Sequence, residues 1–345
     1  MNNRSAGIEA WGVYIPEKRH TSKFISEETG IPKEILESKF GLKAKTVPGP
    51  DDHTVFMGAQ AAKSALKKVN LTAEDIDLII WAGEVYSEHP MQTYGIKLQK
   101  YLGCPKKPWA FDINQRCGSL PVGILLAKSL LQVYPKMKRV LVASGYRNSD
   151  LIDYKNPRTR FMISLAASGV AVIIKGDSKI NEVLGISAVS DGRFADDVYV
   201  PAGGTVQPIS SEAITKRMTY LDVSDPDGLK KRLDRFSMES FIRVIDEALS
   251  MSNITRANIN FLALLHMKRS AFEYVANSIG VDPYKQSVYL DDIGHNGQND
   301  MILSIDRGVQ RGMIKDGDYV VFAAAGIGWA WNAGVIRWGL PKDKK

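Results

Sequence analysis

The chain has 345 residues, 44% of them hydrophobic and 24% charged, with a formal net charge of +7. That composition describes a globular protein long enough for one large core or two fused ones, and it excludes a disordered or low-complexity chain. Two cysteines, Cys104 and Cys117, cannot make a disulfide framework, and no Cys/His cluster has zinc-ligand spacing, so no metal is predicted.

The N-terminal residues lack an apolar signal region and the longest apolar stretches are strand-sized, so the chain reads as cytoplasmic, with no membrane span. The positive excess is spread over Lys216-Arg217, Lys230 to Arg235 and Lys268-Arg269. Such clusters are solvated helix faces that also suit an acidic partner, a carrier protein or the phosphates of coenzyme A. Nucleic acid is not expected, because no recognition motif or aromatic-interleaved basic stripe accompanies the charge.

In chain order, Ile8 to Tyr14 reads as a strand, Val55 to Val69 as an amphipathic helix, Ile76 to Ala82 as a buried strand and Met91 to Leu102 as a helix. An apolar helical run, Val122 to Val133, precedes buried strands at Arg139 to Ala143, Ala171 to Ile174 and Val183 to Ser190. A long charged helix spans Leu229 to Ser250. The later half then gives strand Phe261 to Leu265, helix Ala271 to Ile279, strand Ser287 to Leu290, helix Met301 to Arg311 and the apolar segment Tyr319 to Ala325. Alternation of this kind predicts mostly parallel sheets with helices on both faces. Leu71 to Trp81 and Ile254 to Leu264 share the pattern Thr-x-x-(Asp/Asn)-Ile-(Asp/Asn) leading into an apolar strand. With the matched order of elements, this predicts a duplicated α/β fold with halves at 1–180 and 181–345.

Cys117 carries the chemistry. It follows the strand-like Phe111-Asp-Ile and a small-residue turn, at the start of the apolar helix. Unpaired N–H groups and the positive end of the helix dipole favour a thiolate there, the form that accepts an acyl group. The bland reading is a small buried apolar residue; the strand–turn–helix setting and two later histidine segments argue against it. Ala325-Gly-Ile-Gly-Trp-Ala-Trp331 is not a phosphate loop, since it lacks Lys-Ser/Thr and lies between strand-like runs. Its glycines let the backbone approach a substrate oxygen closely.

Taken in order, Gly12-Val-Tyr-Ile-Pro16, Gly41 to Lys45, Asp75 to Ile80, Phe111 to Cys117, Ser190-Asp-Gly192, Leu265-His266, Gly294 to Gly297, Arg311 to Asp318 and Gly326 to Trp331 resemble the thiolase superfamily. Within it, the chain resembles the ketoacyl-acyl-carrier-protein synthase III branch over nearly its whole length. The resemblance implies a five-layered αβαβα fold of two similar halves, a homodimer, and an active site where the halves meet. It implies that Cys117 holds the acyl group, that His266 is the second catalytic residue, and that the N–H groups of Cys117 and Gly328 form the oxyanion hole. Acyl-coenzyme A or acyl-carrier-protein thioesters are then substrates, with no cofactor required.

Three departures qualify it. Where the branch has Asn in a Gly-Asn-Thr-Ser-like loop, this chain has His295 followed by Asn296. Either His295 fills the third catalytic position, or the loop shifts by one residue and Asn296 donates its amide. Glu84 falls where hydroxymethylglutaryl-coenzyme A synthases place a catalytic glutamate; the alternative is an exposed loop acid. Ile35 replaces the tryptophan that stacks on the coenzyme's adenine, leaving Arg160 and Lys39 as the residues to meet the nucleotide. The resulting expectation is decarboxylative Claisen condensation. The alternatives are acyl transfer to an oxygen or nitrogen nucleophile, a non-decarboxylative condensation with Glu84 as base, and a non-catalytic partner subunit.

Overall fold

The computed structural model describes residues 4–340. In the first half, strand β1 (Ala6–Tyr14) leads through helix α1 (Thr54–Lys68) to β2 (Leu78–Ala82). Helix α2 (Tyr94–Leu102), β3 (Trp109–Ile113), helix α3 (Ser119–Val133), β4 (Arg139–Tyr146) and β5 (Ser168–Gly176) follow. The second half holds β6 (Glu182–Ser190), helix α4 (Pro226–Met251), β7 (Ile259–Leu264), helix α5 (Arg269–Ser278), helix α6 (Asp300–Gln310), β8 (Tyr319–Gly326) and β9 (Ala330–Arg337).

Nine strands form one hydrogen-bonded order, β7-β8-β9-β6-β1-β5-β4-β2-β3. The two halves of that order meet at the Gly7–Glu182 pairing, where Ile8 also exchanges hydrogen bonds with Asn181. Each half repeats one scheme: β2 is parallel to β4, β4 antiparallel to β5 and β5 antiparallel to β1. Likewise β7 is parallel to β8, β8 antiparallel to β9 and β9 antiparallel to β6. Every residue of β2 is buried, because helices cover both faces of its sheet. Helix α1 lies on β1, β4 and β5, α4 lies on β6 and β9, and α3 touches strands of both halves from the middle layer. This is the duplicated fold that the element order predicts, in the five-layered arrangement that the resemblance implies.

The shared pattern before β2 and β7 has a local cause in each half. Thr72 and Asp75 form a capping box, with the Thr72 N–H donating to Asp75 Oδ2 at 2.8 Å. Thr255 and Asn258 form its counterpart, with the Thr255 N–H donating to Asn258 Oδ1 at 2.9 Å. Each box turns the chain sharply into a buried parallel strand.

Three expectations need correction. The sheets are not mostly parallel: β2–β3, β2–β4 and β7–β8 pair in parallel, while the other five pairings of the nine-stranded order are antiparallel, because β4 to β5 and β8 to β9 are joined without an α-helical crossover. Ser287 to Leu290 is not a ladder strand, since it makes only the single bridge Leu262–Ser287 before the chain turns. Val288 and Leu290 are buried, and Ser304 of α6 reaches Val288 O at 3.5 Å. Helix α2 begins at Tyr94, not Met91, because Asp112 accepts the N–H groups of Tyr94 and Gly95 and so fixes the first turn.

Candidate active site

Cys117 lies in the short turn Arg116–Gly118 that opens α3, and it is 3% exposed. Arg116 has φ of 52°, and Ser119 Oγ locks the turn by donating to Arg116 O at 2.7 Å and accepting from Gln115 N at 2.8 Å. The end of β8 presses on this turn at Gly326, where a Cβ would stand 2.0 Å from Gln115 O. Only glycine permits that approach. Gly328, two residues on, has open space where a side chain would stand, and it faces no backbone of this kind.

The second half supplies the histidines. His266 follows β7, and His295 lies in the loop before α6. Nε2 of His295 is 3.7 Å from Cys117 Sγ, while its Nδ1 lies 2.6 Å from Asp300 Oδ2. Asp300 is fully buried in the first turn of α6 and accepts the Asn296 N–H at 2.7 Å and the His266 N–H at 2.8 Å. One carboxylate therefore ties both histidine segments together and aims one ring at the sulfur.

The two rings are held in different states. Burial alone would lower the pKa of His295, but the charge and hydrogen bond of Asp300, with the Cys117 sulfur, raise it to about 10. His266 lacks such a partner for its ring, and burial pushes it down to about 4. Both His266 ring nitrogens are without hydrogen-bond partners among the described residues, and the ring stacks on Tyr289 with centroids 4.5 Å apart. At neutral pH, His295 is a cation beside the sulfur and His266 is a neutral ring with an N–H to offer.

The loop carrying His295 is braced from the first half. His295 N–H donates to Ser164 O and its carbonyl accepts from Ala166 N–H, each at 2.8 Å. Thr46, in the short strand Ala44–Thr46, gives its N–H to Ile293 O at 3.1 Å and its hydroxyl to Ala167 O at 2.6 Å. Gln298 and Asn299 reach Ser144 Oγ at 2.7 Å and Ser168 Oγ at 3.0 Å.

The remaining predicted residues separate. Asn296 is fully buried, but its amide donates to Ile293 O at 3.2 Å and Gly294 O at 3.0 Å. The shifted-loop alternative is thereby corrected: this amide staples its own loop and is not offered to a substrate. Glu84 is no exposed loop acid, being 2% exposed with its carboxylate 3.2 Å from the Arg116 guanidinium. Lys39 and Arg160 are exposed, on the turns Leu36–Phe40 and Pro157–Met162. Among the described residues, no group of His, Cys, Asp or Glu side chains is arranged to hold a metal ion.

Asp300 is the residue that motif reading missed. An acid at a helix start is normally a capping feature, and the only signal was its place at the head of a helix whose next five residues are all buried. Tyr146, at the end of β4, was also missed. It packs beside His295, ring centroids 6.1 Å apart, and burial with the nearby charges of Cys117, Glu84 and Asp300 raises its hydroxyl well above the ordinary value.

Two family models match the chain: 3-oxoacyl-acyl-carrier-protein (ACP) synthase III over residues 111–192, and the C-terminal part of that enzyme over residues 249–338. The beta-ketoacyl-acyl-carrier-protein synthase III of Chlamydia caviae is 25% identical over 336 residues, 97% of each chain. That of Clostridioides difficile is 26% identical, covering 98% of this chain and 100% of the relative. The crystal structure of 3-oxoacyl-acyl-carrier-protein synthase III from Aquifex aeolicus has the same fold, with a TM-score of 0.82 at 20% identity over 96% of this chain and 100% of that one.

Proposed function

Because the chain belongs to the 3-oxoacyl-acyl-carrier-protein synthase III family of condensing enzymes, in the thiolase superfamily, we propose that it forms a carbon–carbon bond by Claisen condensation between a Cys117-bound acyl group and a malonyl-type thioester. The observation that carries this reading is the Cys117 sulfur 3.7 Å from a ring whose far nitrogen is held by Asp300. A ring held at that distance is within reach to exchange a proton with the attacking sulfur or the leaving thiol.

In the first half-reaction, Cys117 attacks the thioester carbonyl. The N–H groups of Cys117 and Gly328 receive the developing oxyanion, and His295 Nε2 gives its proton to the departing thiol. In the second, a malonyl thioester loses carbon dioxide and its enolate attacks the acyl-enzyme. His266, neutral and with free ring nitrogens, donates its N–H to the enolate oxygen. Glu84, held by Arg116, is not required as a base on this route.

The donor is an acyl group on coenzyme A or a carrier protein, and the exposed Arg160 and Lys39 would meet its phosphates, with the net charge of +7 assisting approach. The working form is a homodimer. Val85, Tyr86 and Met91 expose 52%, 39% and 100% of their surface on one loop, an apolar edge that a second copy would cover. The protein acts in the cytoplasm and needs no cofactor; no helix among the described residues is long and apolar enough to cross a membrane.

The test supplies an acyl thioester and a malonyl thioester together and follows carbon dioxide and a β-keto product. One carbon dioxide per product is expected, and Glu84→Gln should keep most of the rate. Product without carbon dioxide, or a Glu84→Gln variant that makes none, rejects the decarboxylative route.

A further inference from the structure

The Cys117–His295–Asp300 arrangement is a nucleophile, a proton carrier and a carboxylate that orients the carrier. Asp300 is itself fixed by the N–H groups of Asn296 and His266, so the His295 ring cannot turn without breaking a buried hydrogen bond. With Nδ1 bound to Asp300, every proton moves through Nε2, the atom that faces the sulfur.

Following that proton separates two kinds of second substrate. Acyl loading forms the carbon–sulfur bond to Cys117 and breaks the bond to the donor, whose sulfur leaves with the Nε2 proton. His295 is then neutral, with a lone pair at Nε2. A decarboxylating malonyl group brings no proton, so the free enzyme regains its resting charge only by taking one from solvent. A hydroxyl or an amine brings its own. Its proton passes to Nε2 as its oxygen or nitrogen bonds to the acyl carbon, the bond to Cys117 breaks, and the thiolate departs beside the restored imidazolium. All atoms and charges then balance within the site.

We propose that the acyl group on Cys117 is also transferred to a hydroxyl or amine acceptor, giving an ester or amide, with His295 as general base and Asp300 as the residue that positions it. This activity rests on the acyl-Cys117 reading above but not on decarboxylation. A mostly apolar cavity of about 350 Å³, walled by Val85, Pro90, Met91 and Ile113, reaches Asn114 in the segment that leads into the nucleophile's turn, and its Val85 and Met91 rim belongs to the edge assigned above to a second copy. It suits an acceptor with an apolar body and one polar group. In its lining, Trp81 Nε1 and Gln92 Oε1 are buried without hydrogen-bond partners among the described residues, a donor and an acceptor that an aliphatic chain would leave unsatisfied. Glu84, on the same wall, is bonded to Arg116, the residue before Cys117.

The test starts from the acyl-enzyme. The protein is loaded from a panel of acyl-coenzyme A donors, freed of excess donor, and divided among buffer, 1-propanol, aniline and malonyl-coenzyme A. Intact mass then follows loss of the adduct. The proposal expects 1-propanol or aniline to shorten its lifetime at least about tenfold over buffer, with the propyl ester or anilide recovered and no carbon dioxide released. The rate should rise with pH as neutral His295 accumulates, and Asp300→Asn should slow it about 100-fold while lessening its pH dependence. If Asp300→Asn does not fold, the wild-type rate and its pH profile still decide. An adduct that malonyl-coenzyme A removes and neither acceptor touches overturns this proposal alone. A protein that takes no acyl group overturns both readings.

Discussion

His295 and His266 are the same residue type in one buried site, yet their surroundings hold them on opposite sides of neutrality, at about 10 and about 4. If condensation needs His295 protonated at loading and His266 neutral at enolate formation, its pH dependence follows. Activity falls as pH drops through about 4 and His266 gains a charge, and it falls as pH rises through about 10 and His295 loses one. Steady-state rates across that range should show a plateau; a half-maximal point near 6.5, the ordinary histidine value, would mean the rings do not feel these environments. Cys117 and His266 were legible from motif order because each follows a strand end, and His295 because it lies in the glycine-flanked loop Gly294 to Gly297. Asp300 was not, because its role depends on a loop bringing His295 back over the first turn of α6, and nothing in Asn299-Asp300-Met301 announces that return.

Between the strands, the loop before α6 fixes where His295 points. Gly294 has φ of 73°, and a Cβ there would stand 2.6 Å from Ser164 O and 2.7 Å from Lys45 Cβ. Gly294→Ala should therefore displace the loop, destabilising the protein by roughly 2 kcal/mol and lowering acyl loading more than tenfold. Thermal melting with a loading assay measures both, and a variant that loads normally would separate this loop from the chemistry. Lys45, on the strand beside it, is fully buried with its ammonium nitrogen unpartnered among the described residues, 4.9 Å from the centre of the Tyr154 ring. Burial lowers its pKa to about 7, so the unfolded chain binds this proton more tightly than the folded one, and stability rises with pH between about 7 and the ordinary lysine value. Lys45→Met should raise stability at pH 7 by roughly 2 kcal/mol, the cation–π contact offsetting part of the gain, with a smaller effect at pH 9. Equal shifts in melting temperature at both pH values would contradict that reading. Sequence periodicity showed neither feature, since a single glycine or lysine in a short irregular segment carries no periodic signal.

At the scale of the whole molecule, the duplication was legible because one capping box and one strand order occur twice. What the repeat does not show is that the halves have divided the chemistry. The first contributes the sulfur and the braces Thr46, Ser144 and Ser168, while the second contributes both imidazoles and the carboxylate that aligns them. The boundary proposed near residue 180 falls between the end of β5 at Gly176 and the start of β6 at Glu182, so neither half alone has a complete site. This division implies one acyl-accepting sulfur per chain. Intact-mass measurement after mixing with a panel of acyl-coenzyme A and acyl-carrier thioesters tests it most directly. The predicted result is a single acyl adduct located at Cys117, absent from Cys117→Ala and slowed at least about 100-fold in His295→Ala. No adduct from any donor, or one that persists in Cys117→Ala, would contradict it.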